Sequence, residues 1–334
     1  MKIQKIASAV SALALLLTAL AASGCSSGES GDAQLRIAYF PNITHSQALV
    51  MKDKKSLETT LGEKCTVQWT SFNAGPAEVE AIFAGEIDIG YIGPVPAINA
   101  NVKSNGEVKI IANACDAGAV LIKAKDSEIG SVKELSGKTV AIPQLGNTQH
   151  LCLLNLLTEN GLSPKSESGN VEVVAVSNAD LQGMLERGDV DAALVPEPWG
   201  SILEKNCGAQ VVLDFDEVFL SGAYPSAVVI VNGDFYSKHR DIVEQFLKAH
   251  REATAFINEN KDEAAVLVDR QILEATGKSI GTDIISLAFQ RLTVTDKVSA
   301  DAISAFAKIG VEQGFISSKP SDGIVDTEII DSLS

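Results

Sequence analysis

The sequence predicts an α/β protein of two lobes, each built on a doubly wound, mostly parallel sheet, with a helical C-terminal tail. Short apolar, β-branched segments alternate with amphipathic segments over residues 35–115, and the alternation is repeated over residues 120–215. From residue 242 to residue 313 nearly every segment has helical periodicity instead. The 334 residues suffice for two domains of ordinary size, and a hydrophobic content of 46% suits packed cores.

The first unit contains four predicted strands, at residues 35–40, 66–72, 88–92 and 108–115. Pro41 ends the first strand, and a polar loop with Thr44, His45 and Ser46 leads into a helix. Pro94 follows the third strand and suits the first turn of a helix, because its missing N–H has no partner to lose there.

The second unit contains five predicted strands, at residues 120–124, 138–142, 171–176, 191–195 and 210–215. Pro143 ends the second of them, and Gly146 permits a tight turn. Asn147 or Thr148 is then a suitable N-cap for a helix whose leucines recur at helical spacing. Such a strand–loop–helix junction directs free backbone N–H groups and the positive end of the helix dipole to one point.

Neutral hydrogen-bonding side chains surround this junction, namely Gln144, Asn147, Thr148 and Gln149. No lysine or arginine lies between Lys138 and Lys165. The sequence therefore predicts an anion site whose donors carry no charge.

The tail begins with a strand at residues 227–231, and four helices follow at residues 242–258, 263–275, 283–292 and 300–313. The crossings between the two units, near residues 116–118 and 221–223, contain small residues. We expect them to act as hinges.

In open α/β sheets, ligands bind beyond the carboxyl ends of the strands. We therefore select the residues at these strand ends as candidate ligand contacts. In the first unit they are Tyr39, Phe40, Thr44, His45, Ser46, Ile92, Gly93 and Pro94. In the second unit they are Gln144, Gly146, Asn147, Thr148, Gln149, Glu197 and Trp199, with Tyr224 at the return crossing. Structural roles stay open, because Thr44 and Ser46 are ordinary helix caps and Tyr39, Phe40 and Trp199 could belong to the core.

Glu197 conflicts with an anion site unless its carboxylate is turned away, hydrogen-bonded or facing a cation. The ammonium group of a zwitterionic ligand would satisfy it, with the anionic group of that ligand at the helix N-termini. A cationic or heteroaromatic ligand would use Glu197 more directly. The remaining alternative is a carboxylate that stabilises the start of the helix at Pro198 through the helix dipole.

The N-terminus predicts export. A small basic region precedes an apolar stretch over residues 6–22, and small residues precede Cys25, as at lipoprotein cleavage sites. We therefore expect a signal peptide at residues 1–24, a lipid on Cys25 and a tether over residues 25–34, with a single membrane anchor as the alternative. The net charge of −16 argues against nucleic acid and against a basic membrane-binding face, so the lipid would be the membrane contact.

Four further cysteines, Cys65, Cys115, Cys152 and Cys207, allow three disulfide pairings, and free buried thiols are an equal alternative. The spacing of cysteines and histidines suggests no metal site, and no cofactor is expected. Cys152 lies two residues after His150, but side chains at that spacing on a helix point to different faces, which argues against a catalytic pair.

Three motifs occur in the order and spacing of a known family: GYIGPVPAI (90–98), PQLGNTQ (143–149) and VPEPWG (195–200). They resemble the solute-binding proteins that serve ABC importers of the sulfonate, taurine and nitrate group, an NMT1-like family of type II periplasmic binding proteins. The resemblance implies that hinge closure encloses a solute between two lobes, formed by residues 35–117 plus 223–334 and by residues 118–222. It also implies a monomer that presents its solute to a permease and an ATPase.

The PQLGNTQ loop favours an aliphatic sulfonate or a taurine-like solute. His150 stands where the sulfonate branch usually has an acidic residue, which leaves nitrate, bicarbonate, a thiamine-precursor pyrimidine and riboflavin open. An enzyme or a ligand-sensing module on the same scaffold is the alternative class. The sequence contains no HExxH motif and no clear acid–base pair around a nucleophile, so no catalytic residue is expected.

Overall fold

The computed structural model describes residues 33–333, in which eleven strands form two sheets. The predicted signal peptide, Cys25 and most of the predicted tether lie outside these residues. The first sheet consists of Ala33–Tyr39 (β1), Cys65–Ser71 (β2), Ile89–Ile92 (β3), Lys109–Ala117 (β4), Pro225–Val231 (β10) and Leu292–Val294 (β11). The second sheet consists of Ala119–Lys123 (β5), Thr139–Ile142 (β6), Glu172–Ala175 (β7), Ala192–Pro196 (β8) and Gln210–Leu213 (β9). The strand orders are β11-β4-β10-β3-β1-β2 and β7-β6-β8-β5-β9.

Thirteen α-helices surround the sheets in the described part of the chain. Those between the strands are Ser46–Lys54 (α1), Ser56–Leu61 (α2), Gly75–Phe83 (α3), Pro94–Lys103 (α4), Thr148–Glu159 (α5), Asn178–Arg187 (α6) and Trp199–Cys207 (α7). The tail adds Gly233–Lys238 (α8), Arg240–Glu259 (α9), Lys261–Thr276 (α10), Thr282–Ala288 (α11), Ala300–Glu312 (α12) and Glu328–Ser332 (α13). A search of residues 33–333 found no helix with the length and apolar character needed to cross a membrane.

The predicted fold class is confirmed, but the sheets are mixed rather than mostly parallel. Strands joined by helical connections run parallel, as β1 does with β3 and β6 does with β7 and β8. Around the passages between sheets the pairing is antiparallel, for β10 with β3 and β4, for β11 with β4 and for β5 with β8 and β9. The passage from β4 to β5 consists of one residue, Gly118, and contains no helix.

Both passages between the sheets contain residues with positive φ. At the first, Ala117 and Gly118 have φ of 62° and 80°. The second, before β10, contains Leu220, Ser221 and Gly222 with φ of 45°, 52° and 79°. Non-glycine residues in this region are strained and concentrate where segments switch conformation, which supports hinges at these positions. The division into the two lobes defined above remains our proposal.

The apolar core is continuous between the sheets. One cluster of buried side chains joins strands of both sheets to α3, α4, α5 and α12, and a second cluster covers the other face of the second sheet. Strand β10, buried along its whole length, lies inside the first sheet. In the tail, α9 and α10 pack on α1, whereas α11 packs on α7. The tail therefore contacts the helical layers of both sheets.

Candidate functional site

A cavity of about 40 Å³ lies at the carboxyl ends of strands from both sheets. It is lined by Phe40, Asn42, Thr44, His45, Asn73, Ala74, Gly75, Gly93, Pro96, Pro143, Asn147, Thr148, Gln149, Asn178, Pro196 and Ser226. Among these described residues none has a carboxylate, an ammonium or a guanidinium group. The cavity wall is thus neutral in a protein whose net charge is −16.

The N-termini of five helices of the described chain meet at this cavity. Gly75, Thr148 and Asn178 are the first residues of α3, α5 and α6, and Gly93 is the N-cap of α4. The fifth, α1, follows directly on a short 3₁₀ turn, Ile43–His45, that also lines the cavity. Helix N-termini present backbone N–H groups without intrahelical partners and the positive ends of helix dipoles. Their convergence favours negative charge in the cavity, although the described wall contains no cation.

The first turn of α5 provides the donors that the sequence predicts. Asn147 caps the helix, because its Oδ1 accepts a hydrogen bond of 2.8 Å from the backbone N–H of His150. The N–H groups of Thr148 and Gln149 precede the first intrahelical hydrogen bonds and have no carbonyl partner within the helix. The Thr148 Oγ1 atom is buried and has no hydrogen-bond partner in the described structure. This turn therefore has several donors for an anion.

The opposite wall is formed after β1. The Asn42 Oδ1 atom accepts hydrogen bonds from the backbone N–H of Thr44 at 3.0 Å and from its hydroxyl at 3.1 Å. The backbone N–H of Phe40 donates to Nδ1 of His45 at 3.0 Å, and the two rings stack 4.4 Å apart. Burial lowers the pKa of His45 to about 3, so the ring is neutral and its proton lies on Nε2. His45 thus offers one uncharged N–H donor.

The cavity contains seven of the residues predicted to contact ligand: Phe40, Thr44, His45, Gly93, Asn147, Thr148 and Gln149. The other predicted residues do not line it: Tyr39, Ser46, Ile92, Pro94, Gln144, Gly146, Glu197, Trp199 and Tyr224. Strand alternation explains part of this division, since the side chain of Tyr39 points away from the face of Phe40 and packs edge-on against Trp69. Ser46 does not act as an N-cap either, because it is the first residue of α1 and its hydroxyl donates to the Ile43 carbonyl.

Glu197 is turned away from the cavity. It is completely buried, and its carboxylate accepts hydrogen bonds from Arg291 at 2.9 Å and from the backbone N–H of Ser201 at 3.1 Å. Desolvation raises the pKa of Glu197, while these two partners lower it. Because the carboxylate already has a cationic partner, no acid in the cavity wall faces a ligand ammonium group.

Two aromatic residues predicted for the site pack on the apolar core and do not line the cavity. Trp199 packs against the apolar cluster of the second sheet. Tyr224 is fully buried, and its ring packs edge-on against Phe219 and Phe306. Trp199 is predicted for the site because it follows β8, and Tyr224 because it lies at the return crossing before β10; each of these positions has a core side as well as a cavity side.

Sequence reasoning missed several cavity residues, and two of them could have been found. Asn73 follows β2 and Asn178 follows β7, so the rule applied to the other strand ends selects both. The Oδ1 atom of Asn178 is buried and has no hydrogen-bond partner in the described part of the chain. Ser226 had no such signal, because it lies near the start of β10 and not after a strand. The remaining additions are Asn42, Ala74, Gly75, Pro96, Pro143 and Pro196.

Residues 33–333 contain no group of three or more histidine, cysteine or acidic side chains arranged to hold a metal ion. The four cysteines in this range are free thiols, so the disulfide alternative is wrong.

Burial raises the pKa of Cys152 to about 12, and the neighbouring His150 ring accepts a hydrogen bond from the Gly146 N–H instead. The segment GKSIG (277–281) has GxSxG spacing, but it connects α10 to α11 and not a strand to a helix as a nucleophile elbow does.

Fold and cavity together define a two-sheet α/β protein that surrounds a small neutral-walled site, which is the architecture of a periplasmic binding protein. The chain matches the NMT1-like family over residues 28–271 and belongs to that family. It is 32% identical over 185 residues to the taurine-binding periplasmic protein of Escherichia coli K12 and spans 55% of each chain. It is 26% identical over 272 residues, 79% of each chain, to a putative aliphatic sulfonates-binding protein of Bacillus subtilis 168.

A solved structure agrees with this fold. The alkanesulfonate-binding protein of Xanthomonas axonopodis pv. citri bound to MOPS superposes with a TM-score of 0.72 at 21% identity. The superposition covers 86% of this chain and 96% of that protein. At this level of identity the likeness concerns the fold and not the ligand.

Proposed function

We propose that this protein is the extracytoplasmic solute-binding component of an ABC importer and that it captures an aliphatic sulfonate in the cavity between the two sheets. The observation that carries the proposal is the convergence of five helix N-termini on a cavity whose described wall has no charged side chain. Backbone N–H groups and helix dipoles stabilise negative charge there, and no cation is required.

The size and lining of the cavity support a sulfonate over larger solutes. A water molecule needs about 10–15 Å³, so 40 Å³ accommodates about three atoms of that size, which matches the oxygens of one oxyanion group. The wall also contains the apolar side chains of Phe40, Pro96, Pro143 and Pro196. The three-atom volume suits sulfonate, nitrate and bicarbonate alike, and these apolar side chains favour a ligand that carries a short alkyl group beside its oxyanion, which nitrate and bicarbonate lack. Riboflavin would need a far larger space.

An alkanesulfonate fits this wall better than taurine does. The ammonium group of taurine would lie among neutral donors, and Glu197, the acid expected to face it, is bonded to Arg291. The relation to the taurine-binding protein of Escherichia coli keeps taurine as the direct competitor. Comparing the binding of the two compounds therefore tests which solute the protein prefers, and either result is compatible with a solute-binding receptor.

The proposed role includes partners and location. A receptor of this class presents its solute to a permease and an ATPase, and hinge closure around the two passages between the sheets would enclose the solute. Export and a lipid on Cys25 would hold it at the outer face of the cytoplasmic membrane as a monomer. The relatives named above are described as binding proteins, which supports a receptor and not an enzyme.

Thermal unfolding of the purified protein with a panel of solutes tests the proposal. A ligand that binds only the folded state raises the midpoint by mass action, with about 2.7 kcal/mol of stabilisation at one hundred times Kd. The panel contains ethanesulfonate, taurine, nitrate, sulfate, bicarbonate, a thiamine-precursor pyrimidine and riboflavin. We expect the largest shift with ethanesulfonate. A shift with the pyrimidine or riboflavin alone would overturn the sulfonate assignment, and loss of uptake in cells lacking the protein would separate an importer from a sensor.

A further inference from the structure

Gly93 and Thr148 meet across the cavity. Gly93 follows β3 of the first sheet, and Thr148 begins α5 beside the second sheet. A Cβ atom at position 93 would lie 2.5 Å from the Thr148 Oγ1 atom, a distance that real Cβ atoms do not approach. A side chain at position 93 therefore requires either that the Thr148 side chain rotates away from its present position or that the two sheets separate.

The glycine is not needed for its backbone freedom. Gly93 has φ of −65° and ψ of 152°, a conformation that every residue adopts. The next atoms that a Cβ would meet are Thr148 Cβ at 3.6 Å and Pro96 Cδ at 3.7 Å, both at ordinary contact distances. The Thr148 hydroxyl is thus the atom that a Cβ at position 93 would approach too closely.

The same hydroxyl is available to bind a ligand. Thr148 is 3% exposed, lines the cavity, and its Oγ1 has no partner among the described residues. Leaving a buried hydroxyl unpaired costs free energy, and an anion oxygen in the cavity would remove that cost by accepting its hydrogen bond. The hydroxyl reaches this position only because residue 93 has no side chain.

We propose that position 93 is a steric gate, at which the missing side chain lets the two halves of the site close with the Thr148 hydroxyl inside the cavity. Residue 93 then sets the fraction of molecules in which the two halves of the site are closed, and through that fraction it determines the affinity for the anion. It does so sterically, because glycine has no side chain to contact the ligand. The nature of the bound anion rests on the function proposed above, whereas the gate itself rests on the steric contact.

Four variants of the purified protein test the gate: Gly93→Ala, Thr148→Ala, the double variant and the control Gly323→Ala. A Cβ atom at position 323 would have no other atom within 4 Å, and φ of Gly323 is not positive. Its substitution by alanine therefore adds a methyl group without a clash. Thr148→Ala removes the Oγ1 atom and with it the obstacle to a methyl group at position 93. Small-angle X-ray scattering without ligand reports closure, and isothermal titration calorimetry with ethanesulfonate reports binding.

Gly93→Ala is expected to increase the radius of gyration and to weaken ethanesulfonate binding by about tenfold or more, since apparent affinity falls with the population of the binding-competent state. Thr148→Ala should weaken binding without changing the radius. The double variant should then match Thr148→Ala in both measurements, because the clash is gone. Gly323→Ala should match the wild type.

Two results would overturn the gate. One is a Gly93→Ala protein that equals the wild type in radius and affinity, and the other is a double variant whose radius remains as large as that of Gly93→Ala. If ethanesulfonate binds to none of the proteins while the radii follow the predicted order, the gate stands and the sulfonate assignment fails.

Discussion

Arg291 and the completely buried Glu197 form an ion pair that joins the two sheets, with Arg291 Nη1 2.9 Å from Glu197 Oε1. Arg291 immediately precedes β11 of the first sheet, and Glu197 immediately follows β8 of the second. The same guanidinium also pairs with Glu204 and, at 3.2 Å, with Asp214. Three carboxylates from segments next to strands of the second sheet thus pair with one guanidinium group that lies next to a strand of the first sheet.

Replacing Arg291 should destabilise the fold strongly. In Arg291→Met the Glu197 carboxylate stays completely buried without its cation, and breaking a buried pair in this way costs about 3–5 kcal/mol. Urea unfolding of the purified protein measures this loss. Adding Glu197→Gln should recover part of the free energy of unfolding, because the unpaired charge is then removed.

Arg187→Met is the matched control for that prediction. Arg187 pairs with Asp189 at 2.7 Å, but both side chains are exposed, so its loss should cost less than about 1 kcal/mol. Equal losses for Arg187→Met and Arg291→Met would contradict the role assigned to the buried pair.

Glu78 should make stability depend on pH. Both oxygens of this carboxyl group are buried against Gly90 with no hydrogen-bond partner within residues 33–333, and desolvation raises the pKa of Glu78 well above 4.5. A raised folded-state pKa gives stability that is complete below pH 4.5 and is lost as pH rises through the folded pKa. Relative to Glu78→Gln, the wild type should therefore lose about 1.4 kcal/mol of unfolding free energy per pH unit in that interval.

The exposed residue Glu80 on the same helix provides the control. Unfolding free energies of the wild type, Glu78→Gln and Glu80→Gln across the pH range isolate the buried group from all others. A constant difference between the wild type and Glu78→Gln would show that Glu78 is ionised in the folded protein or has found a partner.

Sulfonate affinity should be almost independent of pH between about 5 and 8, the range in which ordinary histidines titrate. His45, the titratable side chain in the described cavity wall, has its pKa lowered to about 3 by burial and stays neutral throughout. Calorimetric titrations with ethanesulfonate at several pH values check this. Affinity that rises on acidification through pH 6.5 would mean that a charged imidazole binds the anion.

Asn178 should contribute to anion binding although the sequence analysis omitted it. Its side chain lines the cavity at the start of α6, and a hydrogen bond to a charged group contributes about 1.5–3 kcal/mol. Asn178→Ala should therefore weaken ethanesulfonate binding by roughly tenfold to a hundredfold. Gln182→Ala, on the same helix and bonded only to exposed Glu186, should bind like the wild type. Equal affinities for all three proteins would exclude Asn178 from the site.

Local sequence was enough to predict the α5 junction. Pro143, Gly146 and Asn147 act within a few residues of one another, and the turn and cap that they predict are present. Alternating segments likewise predicted the fold class, since β and α periodicities are local properties.

Features that depend on distant partners could not be predicted in this way. The partner of Glu197 lies 94 residues away in sequence, and no local pattern connects Glu197 with Arg291. The antiparallel pairing of β10 with β3 and β4 depends on how the tail returns to the first sheet. Whether Trp199 and Tyr224 face the core or the cavity was decided by packing, because aromatic side chains suit both environments.

The salt dependence of ethanesulfonate binding tests most directly that neutral donors hold the anion. The described cavity wall has no cation, and the chain has a net charge of −16, so added salt screens only a general repulsion. We predict one bound ethanesulfonate whose Kd stays constant or decreases slightly as salt is raised. Absence of binding, or a Kd that increases steeply with salt, would contradict a site built from helix N-termini and uncharged side chains.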